Sequence, residues 1–123
     1  MQSNFDDTKP IFQQIAEMIA DDIIDGEIAE GDQIPSTTEL SKFYQINRAT
    51  AQKGLTMLVD AGLVYKQRGV GMFVAEGAVR QLLLERQQDF FKQYVKPLVA
   101  EAKRLHLSEE QIIQFIKEAT SND

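Results

Sequence analysis

The chain has 123 residues, room for one domain or a small domain with an appendage, and its 43% hydrophobic content can bury a modest core. It has no cysteine, which excludes disulfides, thiolate metal sites and a cysteine nucleophile. No apolar run reaches the roughly 20 residues of a membrane span, and the polar, acidic amino terminus through Asp6 and Asp7 is unlike a secretory leader, so a soluble, cytoplasmic chain is expected.

The net charge of −6 argues against a polyanionic partner until it is divided along the chain. Residues 1–39 set Lys9 against ten acidic side chains, a net of −9. Residues 40–76 set Lys42, Arg48, Lys53, Lys66 and Arg68 against Asp60 and Glu76, a net of +3. The remainder balances at seven of each sign. A phosphate backbone responds to the local footprint on one face, and the middle of the chain is basic.

In chain order, residues 1–8 read as a polar lead-in with Phe5 tucked against the body. A first helix is expected from about Pro10 to Asp25, with Ile11, Phe12, Ile15, Ile19 and Ile23 as one apolar stripe, Asp21, Asp22 and Asp25 opposite, and Gly26 as terminator. Residues 27–35 form a loop with a short strand at Gln33-Ile34. Ser36-Thr37-Thr38-Glu39 is a capping box that starts a short helix to Tyr44, with Leu40 and Phe43 facing the core. Gln45-Ile46 makes a turn, Ile46 plugs the space between helices, and Asn47 caps a second helix over Arg48–Ala61. Its inward face is Ala51, Leu55, Leu58 and Val59, and Gly62 ends it.

The outward face of that second helix carries Arg48, Ala49, Thr50, Gln52 and Lys53, side chains that are small or can hydrogen-bond. A helix that enters a major groove by its first turns needs that character. Leu63–Gln67 and Met72–Ala75 follow as strands around Arg68-Gly69-Val70-Gly71, whose glycines permit a tight reversal and a close approach to a ligand. Helix, turn, helix and basic hairpin in that order describe a winged helix-turn-helix. From Ala78 a long apolar helical pattern runs to about Leu105, interrupted by Pro97, which should kink or split it. Ser108-Glu109-Glu110-Gln111 is a second capping box for a last helix to about Ala119. The fold class is therefore mainly α: three helices and a β-hairpin wing over residues 1–76, then a two-helix appendage over 77–123. Apolar surface on that appendage, including Leu83, Phe90, Phe91, Tyr94 and Leu98, exceeds what one hairpin can bury and points to pairing of two copies. The alternative is a tail folded back on its own chain.

Pro35-Ser36-Thr37-Thr38-Glu39-Leu40-Ser41, Asn47-Arg48-Ala49-Thr50, Gly62-Leu63-Val64 and Arg68-Gly69-Val70-Gly71-Met72-Phe73-Val74 together resemble the winged-helix domain of GntR-type bacterial transcription regulators. Pro10–Ile15 and Gly31–Pro35 match that family's first helix and the approach to its second, and the short two-helix tail resembles its YtrA subfamily. The resemblance implies a homodimeric repressor on a pseudo-palindromic double-stranded DNA operator, with a transporter operon as a guess at its target. Carried over by position, Arg48 and Thr50 would contact bases and phosphates, Asn47 would cap the helix near the backbone, and Gly69 would approach the minor groove. The expected DNA-contacting set is Ser36, Thr38, Asn47, Arg48, Ala49, Thr50, Gln52, Lys53, Arg68, Gly69, Val70 and Gly71. Thr38 and Gln52 stand where many members have arginine, and Gln52 could read adenine bidentately, so an A·T-richer operator core is expected.

A winged helix serving as a protein- or RNA-binding adaptor is the alternative. An enzyme is not expected: His106 lies near a helix end with no partner for nucleophilic or acid–base work, and no metal-ligand cluster or phosphate loop is apparent. No cofactor is expected. A small-molecule effector between the winged helix and the tail, or none, are both open.

Overall fold

The computed structural model describes residues 5–121. Helix α1 spans Ile11–Ile24 and buries Ile15, Ile19 and Ile23 completely, while Ile11 at its start stays partly exposed. Pro10 is its N-cap and offers no side-chain cap. Gln14, a buried polar side chain, ties the lead-in to the helix instead. Its Nε2 donates to the carbonyls of Asp6 (2.9 Å) and Lys9 (2.7 Å), and its Oε1 accepts the Asp6 N–H (3.0 Å). Phe5 packs at the edge of the core, 5.2 Å from the Tyr44 ring.

Helix α2, Thr37–Tyr44, begins on the expected capping box: Ser36 Oγ accepts the Glu39 N–H (3.1 Å) and Glu39 Oε1 accepts the Ser36 N–H (3.1 Å). Leu40 is buried, but Phe43 is not: it is 67% exposed. The inward line of this short helix runs from Leu40 to the half-buried Tyr44 one turn on, so Phe43 swings to the surface and meets the Tyr44 ring edge-on at 4.8 Å. Gln45 takes the left-handed conformation (φ 55°) to turn the chain, and Ser41 Oγ donates to the Ile46 carbonyl (2.6 Å) across that turn.

Helix α3, Arg48–Asp60, buries Ala51, Gly54, Leu55 and Leu58. Val59, expected inside, lies at the surface because the buried line follows positions three and four apart from Ala51 and leaves it one step off. Gly54, unassigned in the sequence, is where α1 and α3 cross. A Cβ there would sit 2.9 Å from the Phe12 carbonyl oxygen and 3.0 Å from Ile15 Cγ2.

Strands β1, Val64–Gln67, and β2, Gly71–Val74, pair antiparallel with Lys66 opposite Met72. The expected strand at Gln33-Ile34 is reduced to a bridge, Gln33 to Phe73, on the far edge of β2. Around it the Gly31 N–H donates to the Val74 carbonyl (2.9 Å) and the Ile34 N–H to the Met72 carbonyl (2.9 Å).

Helix α4, Ala78–Phe90, starts on the winged helix itself. Ala78 and Leu82 are buried in its core, and Gln81 Nε2 donates to the Ala61 carbonyl (2.9 Å). The Glu30 carboxylate accepts the N–H groups of Gly77 (2.9 Å) and Val79 (3.1 Å), bonds that hold it below the usual glutamate pKa. A carboxylate there satisfies amides the helix cannot pair and suits the positive end of its dipole.

Of the kink or split expected at Pro97, the split does not occur. A π-helical turn over Phe91–Val95 joins α4 to α5, Lys96–Arg104, and Lys96 donates its N–H to the Phe91 carbonyl five residues back. Proline has no N–H for the carbonyl four residues before it and crowds that carbonyl, and a widened turn relieves both. Helix α5 ends where His106 takes φ 59°, with the Leu107 N–H on the Ala102 carbonyl (2.9 Å). Helix α6, Glu109–Ser121, starts on the second capping box, Ser108 with Gln111. Residues up to Leu84 form one compact unit and those from Glu85 another, beyond the 76/77 boundary expected because Ala78 and Leu82 belong to the first core.

Replacing Gly54 by alanine tests the crossing. Helix propensity alone would favour alanine by about 1 kcal/mol, but overpacking typically costs about 1–3 kcal/mol. The contact with the Phe12 backbone makes the second effect win, so Gly54→Ala should lower the urea midpoint. An unchanged or raised midpoint would show that the helices separate without cost.

Candidate nucleic-acid interface

Two helix amino termini lie in the helix-turn-helix, and they differ in charge. At α2 the Glu39 carboxylate sits on the Ser36 amide and is held below its usual pKa by that bond, so the positive dipole end there is already met by an anion. At α3 the cap is neutral: Asn47 Oδ1 accepts the Thr50 N–H (2.8 Å). The first turn of α3 therefore keeps its positive potential, with Arg48 beside it, and is the better seat for a phosphate.

Burial on α3 leaves Arg48, Ala49, Gln52 and Lys53 exposed and Thr50 half-buried, as the outward face requires. Among the described residues no carboxylate lies within ion-pair distance of Arg48, Lys66 or Arg68. Lys53 is directed otherwise: its ammonium lies 4.1 Å from the centre of the Phe12 ring on α1, a cation–π contact. Gln52 is also engaged. Its Oε1 accepts from Thr37 Oγ1 (2.7 Å) and its Nε2 donates to Thr56 Oγ1 (3.3 Å), so bidentate contact with adenine requires it to give up both.

The wing tip is a turn in which the Val70 N–H donates to the Gln67 carbonyl (3.0 Å) and Gly69 takes φ 78°. That value suits glycine at the third position of a tight turn. Nothing lies within 4 Å of a Cβ built on Gly69, so this glycine is open to a ligand. Gly71 is not: a Cβ there would fall 2.3 Å from Gln33 Nε2. Its missing side chain admits a neighbour in the same protein.

Between the wing and the two helices lies a notch of about 240 Å³, walled by the cap Ser36 and by Thr37 and Thr38 at the start of α2, Gln52 on α3, and Lys66 and Gly71 on the wing. It brings Ser36, Thr38, Gln52, Val70 and Gly71 of the expected set together around one space. It also adds three polar residues the expected set lacked, Gln33, Thr37 and Lys66, beside the apolar Ile34, Leu55 and Met72. Lys66 was legible, because alternation along β1 puts it on the side of the buried Val64, facing the helices. Gln33 and Thr37 carry no local signal, since their roles depend on partners 37 and 15 residues away.

The family profile described as "Bacterial regulatory proteins, gntR family" matches residues 11–74. YhcF, an HTH-type transcriptional regulator of Bacillus subtilis (strain 168), is 30% identical over 120 residues and covers 98% of both chains. YtrA, an HTH-type transcriptional repressor of the same organism, is 27% identical over 113 residues, 92% of this chain and 86% of that one. A GntR family transcriptional regulator from Listeria monocytogenes has a TM-score of 0.72 at 31% identity, covering 93% of this chain and 98% of that one. The AraR DNA-binding domain, solved in complex with operator ORE1, has a TM-score of 0.54 at 32% identity, covering 61% of this chain and 94% of that one. Helix, capped recognition helix and wing thus coincide with a family profile and with full-length relatives: the chain belongs to the gntR family of bacterial regulatory proteins, as a DNA-binding transcriptional regulator of the YtrA-like kind.

Proposed function

We propose that the chain is a repressor acting as a homodimer on a pseudo-palindromic operator, reading each half-site with α3 and the wing. The observation that carries this reading is the first turn of α3: a neutral cap, an uncompensated dipole and an exposed Arg48 that has no carboxylate within ion-pair distance among the described residues. Arg48 and Thr50 would meet bases and phosphates there, with Ala49 small enough to let the backbone approach. Asn47 would hold the helix end, and Ser36 and Thr38 would line the flank. Arg68 and Gly69 would reach the minor groove from the wing, and Lys66 would place its charge at the notch. The resemblance to YtrA-like regulators favours a transporter operon as the target.

Pairing is supported by what the second unit leaves uncovered. Phe90, Phe91, Tyr94 and Leu98 are between 44% and 62% exposed. An apolar groove of about 390 Å³ between α5 and α6 adds Leu105, Phe115 and Ile116. Apolar surface on this scale is unfavourable in water and is relieved by a symmetric partner. The lone half-site contact set is small, so two linked copies raise the affinity that one cannot reach.

Selection of duplexes from a random pool by the full-length chain, followed by titration at rising salt, tests the core of the reading. A steep fall of affinity with salt is expected for a duplex-binding regulator, and Arg48→Ala should weaken binding to the selected duplex sharply while the sedimentation of the free protein stays the same. Undiminished affinity removes Arg48 from the interface. The selected sequences also report on Gln52: A·T pairs at its position agree with adenine reading, and a fixed guanine there rules it out. Phe90→Glu should give monomers in sedimentation that bind the selected duplex weakly, whereas unaltered sedimentation would place the dimer contact elsewhere.

A further inference from the structure

Gln33 lies in the loop before α2, outside every element expected to touch DNA. Its backbone bridges Phe73 on the free edge of β2, and its side chain runs along that edge to the wing tip. There its Nε2 donates to the Val70 carbonyl (3.1 Å). Val70 is thereby held from both sides, by Gln33 at its carbonyl and by the Gln67 carbonyl at its N–H (3.0 Å). The next residue is shaped to the same contact. Gly71 takes φ 149°, and a Cβ on it would lie 2.3 Å from Gln33 Nε2 and 3.2 Å from Gln33 Cδ, so the amide lies across its bare Cα.

A two-stranded hairpin alone is marginally stable in water, and its tip is its most mobile part. Residues Gly31 to Ile34 add backbone bonds to β2, but those bonds stop short of the turn. Among the described residues, the Gln33 side-chain hydrogen bond carries this support to Val70, adjoining the Arg68-Gly69 pair.

We propose that Gln33 is a positioning residue for the wing. It orders Arg68 and Gly69 before DNA arrives and so lowers the conformational cost of the wing contact. It acts through Val70 and need not touch DNA itself. This rests on the DNA-reading role of the wing proposed above.

The test uses full-length protein, the duplex selected by the wild type, and a random-sequence duplex of equal length. Gln33→Met keeps the length and volume of the side chain but removes the donor, and Gln33→Ala removes both. For the selected duplex, loss of one such hydrogen bond should weaken binding about three- to tenfold. The same change made in an Arg68→Ala background should have a clearly smaller effect, because the charged side chain being positioned is gone and only the Gly69 backbone remains. In the free protein, heteronuclear NOE values at residues 68–71 should fall in Gln33→Met while the thermal midpoint stays close to wild type. Equal losses with and without Arg68, or wing-tip NOE values unchanged in both variants, would overturn the proposal. A wild-type chain that selects no duplex would instead remove the DNA-binding reading beneath it, which the NOE arm does not depend on.

Discussion

The close crossing of α1 and α3 at Gly54 is the contact on which the rest of the DNA-reading unit depends. With the Phe12 carbonyl and the Ile15 side chain at the place a Cβ would occupy, the two helices meet backbone to side chain with no intervening layer. Ala51 on the same line is fully buried, and Leu55 and Leu58 complete the inward face. Those four positions fix the rotation of α3 about its axis. Arg48, Ala49, Gln52 and Lys53 are left outward because the inward positions are taken. The face proposed to read DNA is in this sense the remainder of a packing solution. Moving the crossing by one methyl group would shift where that face points, because close-packed interiors transmit strain rather than absorb it.

The loop before α2 has a second organising role. From one short stretch, Glu30 caps the start of α4, the backbone of Gly31, Asp32 and Ile34 pairs with β2, and Gln33 reaches the wing tip. Covering the edge of β2 also satisfies backbone groups that a bare hairpin would leave to solvent or to another chain. Glu30 makes its contribution as a carboxylate whose pKa is lowered by the two amides it accepts. That stabilisation is present above the ordinary glutamate range and fades as pH falls through the lower folded value, well below neutrality.

Electrostatics explains how an acidic chain can serve a polyanion. The acidic residues concentrate in residues 1–39, and one of them, Glu39, is folded onto the α2 terminus. The basic residues cluster in the segment that makes α3 and the wing, and the neutral Asn47 cap leaves the α3 dipole unopposed. Screening limits the reach of the distant acidic charge to about 8–10 Å at ordinary salt. Local sign therefore outweighs the total.

Much of this was legible in the chain because it depends on neighbours a few residues apart. Both capping boxes, the Asn47 cap, the glycines that end α1 and α3, and the apolar stripe of α1 are local choices of backbone and side chain, and they determined the elements, their order and the family. Local rules marked the outward face of α3 as suited to a groove, and the family resemblance added what Arg48, Thr50 and Gly69 would contact. Tertiary structure decided what depends on distant partners. Phe43 and Val59 are apolar and helical, but their exposure is set by which face of each helix packs inward, α2 against α3 and α3 against α1. Pro97 disrupts an isolated helix, yet here the helix absorbs it in a π turn. Gly71 reads as an opening for a ligand until Gln33 is seen filling it. The amide of Gln52 reads as a free donor–acceptor pair until Thr37 and Thr56 are placed beside it. Sequence by itself determined the helices and the two wing strands, since their caps and turns are made within a few residues, but not the reduction of Gln33-Ile34 to a bridge or the π turn before Pro97. Which side chains those elements leave available was decided only when the chain was packed, since a hydrogen-bonding group is committed by whatever the fold brings next to it.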